Sequence, residues 1–277
     1  MQKTGAKDYL ITLLLIILAV LFLAPIFIVL MNSFKGKFFI SDAPFDMPDS
    51  TTFVGLDNYV SGLEKTGFFS AFQMSLFITI GSVLLIVLFT AMTAWYITRV
   101  KTKFTNTLYY IFVFSMIVPF QMVMFSMTKV ANMLHLDNPV GILIIYLGFG
   151  AGLSVFLFSG FVKSIPVEIE EAVMMDGCNP AQAFFKIILP LLKPIAITVA
   201  ILNVMWIWND YLLPYLVIGT EYKTIPIAIQ YLKGGYGSID MGAMMAMLVL
   251  AIVPIVIFYL FCQKYIIEGV VAGAVKG

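Results

Sequence analysis

Residues 164–190 read SIPVEIEEAVMMDGCNPAQAFFKIILP, the one long polar-punctuated stretch lying between two apolar runs. Pro166 suits a helix first turn, where its missing N–H is no loss, and Glu168, Glu170 and Glu171 suit the positive end of a helix dipole. Ile165, Ile169, Ala172 and Val173 share one helical face, and Gly177 offers a left-handed stop. Asn179-Pro180-Ala181-Gln182 then repeats the start signal, with a cap, a first-turn proline and a glutamine at the third position. The spacing predicts two short helices bent at Gly177. An amphipathic pair carrying three acids and an exposed Met174-Met175 suits a groove on another protein. The other reading, a helix lying on lipid, sets its acids against an anionic leaflet.

The rest of the chain says where such a segment must sit. Of 277 residues, 61% are hydrophobic and 11% charged, against about 25% charged in soluble domains. That excludes a soluble globular domain and points to an all-α integral membrane protein. The length holds several spans of about 20 residues with short loops, and no large soluble catalytic domain. A net charge of +1 gives no reason to expect a nucleic-acid partner. Cys178 and Cys262 are not expected to form a disulfide, and a lone His135 in a loop suggests no metal site.

Six transmembrane helices are expected, at about Leu10–Met31, Phe72–Ile97, Thr107–Met127, Val140–Val162, Ile187–Trp208 and Met241–Phe261. Pro25, Pro119, Pro190 and Pro194 are candidate distortions, and Gly141, Gly148, Gly150, Gly152 and Gly160 would allow close packing of the fourth span. Residues 32–69 read as a polar outer loop, and 209–240 as a long outer loop whose Gly234-Gly235-Tyr236-Gly237 must be flexible. The expected division is 1–69 for the first span and its loop, 70–265 for a core with the docking segment at 163–190, and 266–277 for a C-terminal tail. Lys3, Lys7, Arg99, Lys101, Lys103, Lys163, Lys186, Lys193, Lys264 and Lys276 then fall on one side of the bilayer. Lys35, Lys37, Lys65, Lys129, Lys223 and Lys233 fall on the other. The richer side faces the cytoplasm, which places both termini and the docking segment there.

No Asp, Glu, Lys, Arg or His lies mid-span, so no buried proton relay is evident. The nucleotide-cradling pattern G-x-x-x-x-G-K-[ST] is absent too, so no ATP hydrolysis and no cofactor are expected on this chain. Energy has to arrive through the exposed docking segment from a separate motor. The rival is an ATP-independent secondary transporter or channel using broken helices.

Glu171-Ala172-Val173, three residues, Gly177, nine residues and Ile187-Ile188-Leu189-Pro190 resemble the EAA loop of ABC-importer permeases, E-A-A-x3-G-x9-I-x-L-P. The departure is Val173 in place of the second alanine. Three further stretches resemble the carbohydrate branch of that family, the binding-protein-dependent transport inner-membrane components. These are Gly55-Leu56-Asp57-Asn58-Tyr59, Trp208-Asn209-Asp210-Tyr211 with Pro214, and the C-terminal Val270–Gly277. The resemblance implies a type I permease fold with its coupling helix between helices 4 and 5. It also implies a multi-pass subunit in a bacterial cell membrane, one of two related permeases importing a sugar, oligosaccharide or polyol. Its other partners would be a cytoplasmic ATPase dimer and an extracytoplasmic solute-binding protein.

Carried onto this chain, the resemblance implies an ATPase-coupling set of Glu171, Ala172, Met174, Met175, Asp176, Gly177, Leu189 and Pro190. A second ATPase contact would come from Gly273, Lys276 and Gly277. Sugars are held by aromatic faces with amide and carboxylate hydrogen bonds. Asn203, Trp206, Trp208, Asn209, Asp210 and Tyr211 offer those groups at the end of the fifth span, with Gln121 a weaker candidate; an aromatic belt at the interface is the plain alternative.

Overall fold

The computed structural model describes residues 6–232 and 240–274, with side chains at 7–232 and 240–265. Among the described residues it is all helix apart from turns and one isolated antiparallel bridge between Lys35 and Phe53. Four of these helices are long and apolar enough to cross a membrane unbroken: α1 (Ala6–Asn32), α4 (Phe68–Arg99), α7 (Gly141–Val162) and α14 (Met241–Ala274). Two bent pairs bring the number to six where each pair is one span. The chain clusters into two compact units, one of residues 1–69 with 228–255, the other of 70–227 with 256–277.

In the first unit, α1 is apolar on every face, as a helix in hydrocarbon must be. None of its apolar window is buried within the chain. The stretch after it, expected as a polar outer loop, carries helical structure and buried polar groups. It folds around α2 (Lys37–Asp42) and α3 (Asp57–Thr66), with Asn32, Ser33, Lys35 and Asn58 buried. Such burial calls for partners, and the donors of these side chains have them. The Asn58 amide donates to the carbonyls of Ser33 and Lys35, both at 2.8 Å, and the Lys35 ammonium donates to the Ala43 carbonyl at 2.8 Å. Tyr59 and Ser33 share a hydroxyl–hydroxyl bond of 2.7 Å. Helix α3 lies so close to α14 that a Cβ on Gly62 would come within 2.7 Å of the Met247 methyl.

The second unit holds the main core. Ile78, Ile86 and Ala94 of α4, Ile142, Tyr146, Val155 and Phe158 of α7, and Phe184, Ile188 and Leu192 pack into one cluster. Helix α7 is the most enclosed of the spanning helices, with 61% of its window buried. Two stretches expected as spans, the fifth with proline distortions, are bent helix pairs. The third is α5 (Lys103–Ser115) followed by α6 (Phe120–Met133), bent by 110°. Pro119 caps α6 with extended backbone (φ −63°, ψ 135°), because a residue without N–H starts a helix more easily than it continues one. In the fifth, α9 (Pro180–Ala183), a π-helical turn (Phe184–Ile188) and α10 (Leu189–Leu191) meet α11 (Lys193–Asn209) at 75°.

The following segment contains α12 (Leu212–Val217) and α13 (Ile225–Gln230); Gly234-Gly235-Tyr236-Gly237 lies outside the described residues. Helix α14 runs past Phe261 through Ala274, into residues expected as a tail. Cys178 and Cys262 are free thiols.

Candidate coupling site

Local chemistry shapes residues 163–192. Pro166 caps α8 (Val167–Met175) with φ −56° and ψ 135°, and Glu168 and Glu170 sit in its first turn. The helix closes with Gly177 N–H on the Met174 carbonyl at 3.0 Å and Cys178 N–H on the Val173 carbonyl at 3.2 Å. Gly177 has φ +85°, a backbone state glycine takes without Cβ strain. Asn179 and Gln182 then form a reciprocal capping box: each side chain accepts from the other's backbone N–H, at 2.9 and 3.0 Å, with Pro180 in the first turn. The result is a two-helix hairpin.

The hairpin divides its acids. Glu171, Ala172, Met174, Met175, Asp176 and Gly177 are exposed, Met175 at 88%. Leu189 is half-buried and Pro190 exposed. Glu170, one residue from Glu171, is only 8% exposed. Its Oε1 accepts from Arg99 Nε at 2.8 Å and pairs with Arg99 Nη2 at 2.7 Å, and its Oε2 accepts from the Trp95 indole N–H at 2.9 Å. The same Arg99 Nη2 donates to the Ile165 carbonyl at 2.9 Å. Removing one partner from a well-buried pair of this kind costs up to about 3–5 kcal/mol, because the other charge is left uncompensated. Beside the pair opens a groove of about 1170 Å³ lined by residues of 98–101, 163–167 and α8, among them Lys101, Lys163, Glu171 and Met175. Sequence reasoning missed Glu170, Arg99 and Trp95. The one available signal was Trp95 and Arg99 spaced four apart at the end of a span.

The candidate solute-facing residues do not form one cluster. Trp206 is 39% exposed and meets Tyr146 edge-on, ring centroids 5.4 Å apart. The Tyr146 hydroxyl donates to Asp210 Oδ2 at 3.1 Å, while Asp210 Oδ1 accepts from the N–H groups of Leu212 and Leu213 at 3.0 and 3.3 Å. Asp210 thus starts α12. Trp208 is buried edge-on against Phe72, 5.8 Å between centroids. Asn203 is buried, its amide donating to the Val199 carbonyl at 2.8 Å and to Ser154 Oγ at 3.3 Å. Exposed Asn209 bonds back to the Met205 carbonyl at 2.7 Å, and Tyr211 stacks on Tyr215. Tyr146, which pattern reading did not single out, joins Trp206 to Asp210. At the other end of the chain, Gly273 lies in the last turn of α14, and Lys276 and Gly277 lie outside the described residues. Among the described residues no group of His, Cys, Asp and Glu is arranged to hold a metal ion.

A helical multi-pass membrane protein with an exposed kinked hairpin anchored beneath its core is a transport permease in architecture. The chain belongs to the binding-protein-dependent transport system inner membrane component family, whose model matches residues 86–271. It is 41% identical, over the full length of both chains, to a probable starch degradation products transport system permease of Thermoanaerobacterium thermosulfurigenes. It is 35% identical, over 95% of each chain, to a multiple sugar-binding transport system permease of Streptococcus mutans. Among solved structures it is similar to a chain of a bacterial ABC transporter that imports the acidic polysaccharide alginate. There the TM-score is 0.77 at 22% identity, over 96% of this chain and 99% of the other. The fold is therefore that of a type I ABC-importer permease. The protein is a non-catalytic membrane subunit of such an importer, with ATP hydrolysis on a separate chain.

Proposed function

We propose that this chain is one of two homologous permease subunits that together import a sugar, oligosaccharide or related polyol. A cytoplasmic ATPase dimer and an extracytoplasmic solute-binding protein complete the complex. In this reading both termini and the α8–α9 hairpin face the cytoplasm. Glu171 makes a charge-assisted contact in a cleft of the ATPase, Ala172 permits close approach, Met174 and Met175 fill the apolar part, and Gly177 sets the bend. Asp176, Leu189 and Pro190 shape the segment, and Gly273, Lys276 and Gly277 provide a second contact. ATP-driven closure of the ATPase dimer draws the hairpins together and turns the cavity between permeases outward. Trp206, Asn209, Asp210 and Tyr211 line the solute path on this subunit, with the buried Asn203 and Trp208 behind them. The sugar class is supported by the names of the two relatives above.

The observation that carries the reading is the hairpin itself: an acidic, methionine-tipped surface exposed on a rigid base, with Met175 88% exposed. The test is binding-protein-stimulated ATPase activity of the complex in lipid vesicles, with uptake from a panel of oligosaccharides. Glu171→Lys and Gly177→Pro should both abolish the stimulation while the spans still insert. Wild-type stimulation in both variants, or uptake by the isolated chain without ATP, overturns the reading.

A further inference from the structure

The contacts beneath the core do more than hold α8 in place. Trp95 and Arg99 are four residues apart on α4, so they project from one face, and between them they reach three separate pieces of chain. Arg99 binds α8 through Glu170 and the α7–α8 connection through the Ile165 carbonyl. Trp95 binds α8 through the other Glu170 oxygen, and its ring packs on Phe184, 5.5 Å between centroids, where the second limb of the hairpin enters the π-helical turn. Both limbs are therefore fastened to a single turn of α4. Phe184 and Ile165 are themselves buried, at 2% and 7% exposure, and closely packed contacts of this kind shift as units instead of deforming continuously.

We propose that Trp95, Arg99 and Glu170 form a transmission clamp, positioning residues through which displacement of the hairpin is delivered to α4 and α7 together. Adjacent acids on α8 then have opposite tasks: Glu171 faces the ATPase, and Glu170 faces the subunit's own helix. The clamp rests on the proposed docking of α8, but it assigns the load path inside this chain. It requires arginine specifically. A planar guanidinium reaches a carboxylate and a carbonyl at once, which a lysine ammonium on its flexible stem does not reproduce. The charge pair is also distinguishable from plain packing, since apolar replacement of both members of a buried pair often leaves a fold intact.

The experiment uses the whole complex in lipid vesicles, in a Cys178→Ser, Cys262→Ser background carrying Ala181→Cys, on the exposed surface of α9, as a crosslinking probe for the ATPase. Three variants are compared: Arg99→Lys, Trp95→Phe, and the apolar pair Arg99→Met with Glu170→Leu. The readouts are yield of assembled complex, crosslinking through the thiol at position 181, and solute taken up per ATP hydrolysed. The clamp predicts that Arg99→Lys and the apolar pair assemble and crosslink normally, while uptake per ATP falls by about tenfold. Trp95→Phe, which loses one bond and keeps the ring, should fall less. Unchanged uptake per ATP with crosslinking retained overturns the clamp and leaves docking intact. Loss of assembly in all three variants also overturns it, since the cluster would then serve folding alone. If the probe fails to crosslink to the ATPase in the unaltered background, the docking reading fails and the clamp with it.

Discussion

Helix α7 carries five glycines that look alike in sequence and differ in the structure, which makes a controlled pair of substitutions possible. A Cβ added at Gly152 would lie 2.6 Å from Ser115 Oγ, 2.8 Å from the Phe112 carbonyl oxygen and 2.9 Å from Met116 Cγ. These are atoms of the last turn of α5 and the residue after it, where the third span breaks. A Cβ at Gly148 meets nothing within 4 Å in this chain. Gly→Ala in a helix gains about 1 kcal/mol of intrinsic propensity at either site, so that contribution cancels when the two variants are compared. What remains is the overpacking cost at Gly152, about 1–3 kcal/mol, with the carbonyl contact setting the upper end because backbone cannot rotate away. For a chain of this size that corresponds to a melting temperature about 2–12 °C lower for Gly152→Ala than for Gly148→Ala. The assay is thermal unfolding of the isolated subunit in detergent, followed by thiol accessibility of Cys178 and Cys262. Equal melting temperatures, or a larger loss at Gly148, would refute the assignment of Gly152 as the close approach between α5 and α7.

The segment after α1 should depend on Asn58. Asn58→Ala strands two buried carbonyls at about 1–3 kcal/mol, and limited proteolysis should then cut within residues 33–56, where the unaltered protein resists. Hydrogen bonds from the Thr51 side chain, and from the Thr52 backbone and side chain, hold the Asp49 carboxyl well below the usual carboxylate range. A depressed folded-state pKa contributes above the unfolded value and is lost as pH falls through the folded one. Hydrogen-exchange protection of the Thr51 amide, whose bond is to the Asp49 carboxyl, should therefore persist below pH 3.8, the ordinary aspartate value, and be lost in Asp49→Ala, while the Thr52 amide keeps a bond to the residue 49 carbonyl. Trp206 and Trp208 should separate by phenotype. Trp206→Ala, with its ring exposed, should raise the solute concentration for half-maximal uptake, whereas Trp208→Ala, buried on Phe72, should lower the yield of folded subunit. The same phenotype for both would remove Trp206 from the solute path.

The hairpin was legible because its signals are local. Pro166, Gly177 and the Asn179–Gln182 pair each act within a few residues, and no distant group is needed for a proline to start a helix or a glycine to turn left-handed. The base of the hairpin was not legible. Glu170 reads as one of three acids suited to a helix dipole, and its partner Arg99 lies 71 positions earlier. Arg99 itself reads as one of several basic residues marking the end of a span. The size of the bend in the third stretch was hidden for a related reason. Pro119 announces a helix start or a kink, but the 110° turn also involves the four residues before α6 and the close approach of Gly152 to α5. Residues 32–69 read as a polar outer loop, and nothing local announced how much of that polarity folds inward. Asn32, Ser33, Lys35 and Asn58 are buried, and their bonds run to carbonyls and hydroxyls up to 26 positions away.

The two ends of the hairpin are attached to the rest of the chain by unlike means. On the α7 side the connection is short, residues 163–166, and its Ile165 carbonyl is held by Arg99. On the α11 side a π-helical turn and a 75° bend at Leu192 intervene, with Pro190 and Pro194 flanking the bend. A π-helical turn has a wider hydrogen-bonding ring than the α-helix around it, and such turns commonly fall at functional positions; proline removes further bonds from the ladder. The α11 side is therefore the more interrupted of the two connections, although Phe184, Ile188 and Leu192 on it are buried in the main core. On the proposed clamp, displacement of α8 is carried to α4 and α7, and the bend at Leu192 is where the direction of α11 departs from that of the hairpin's second limb. The I-x-L-P match, Ile187 to Pro190, runs from the π-helical turn into α10, and the chain turns two residues beyond its proline, ahead of Pro194.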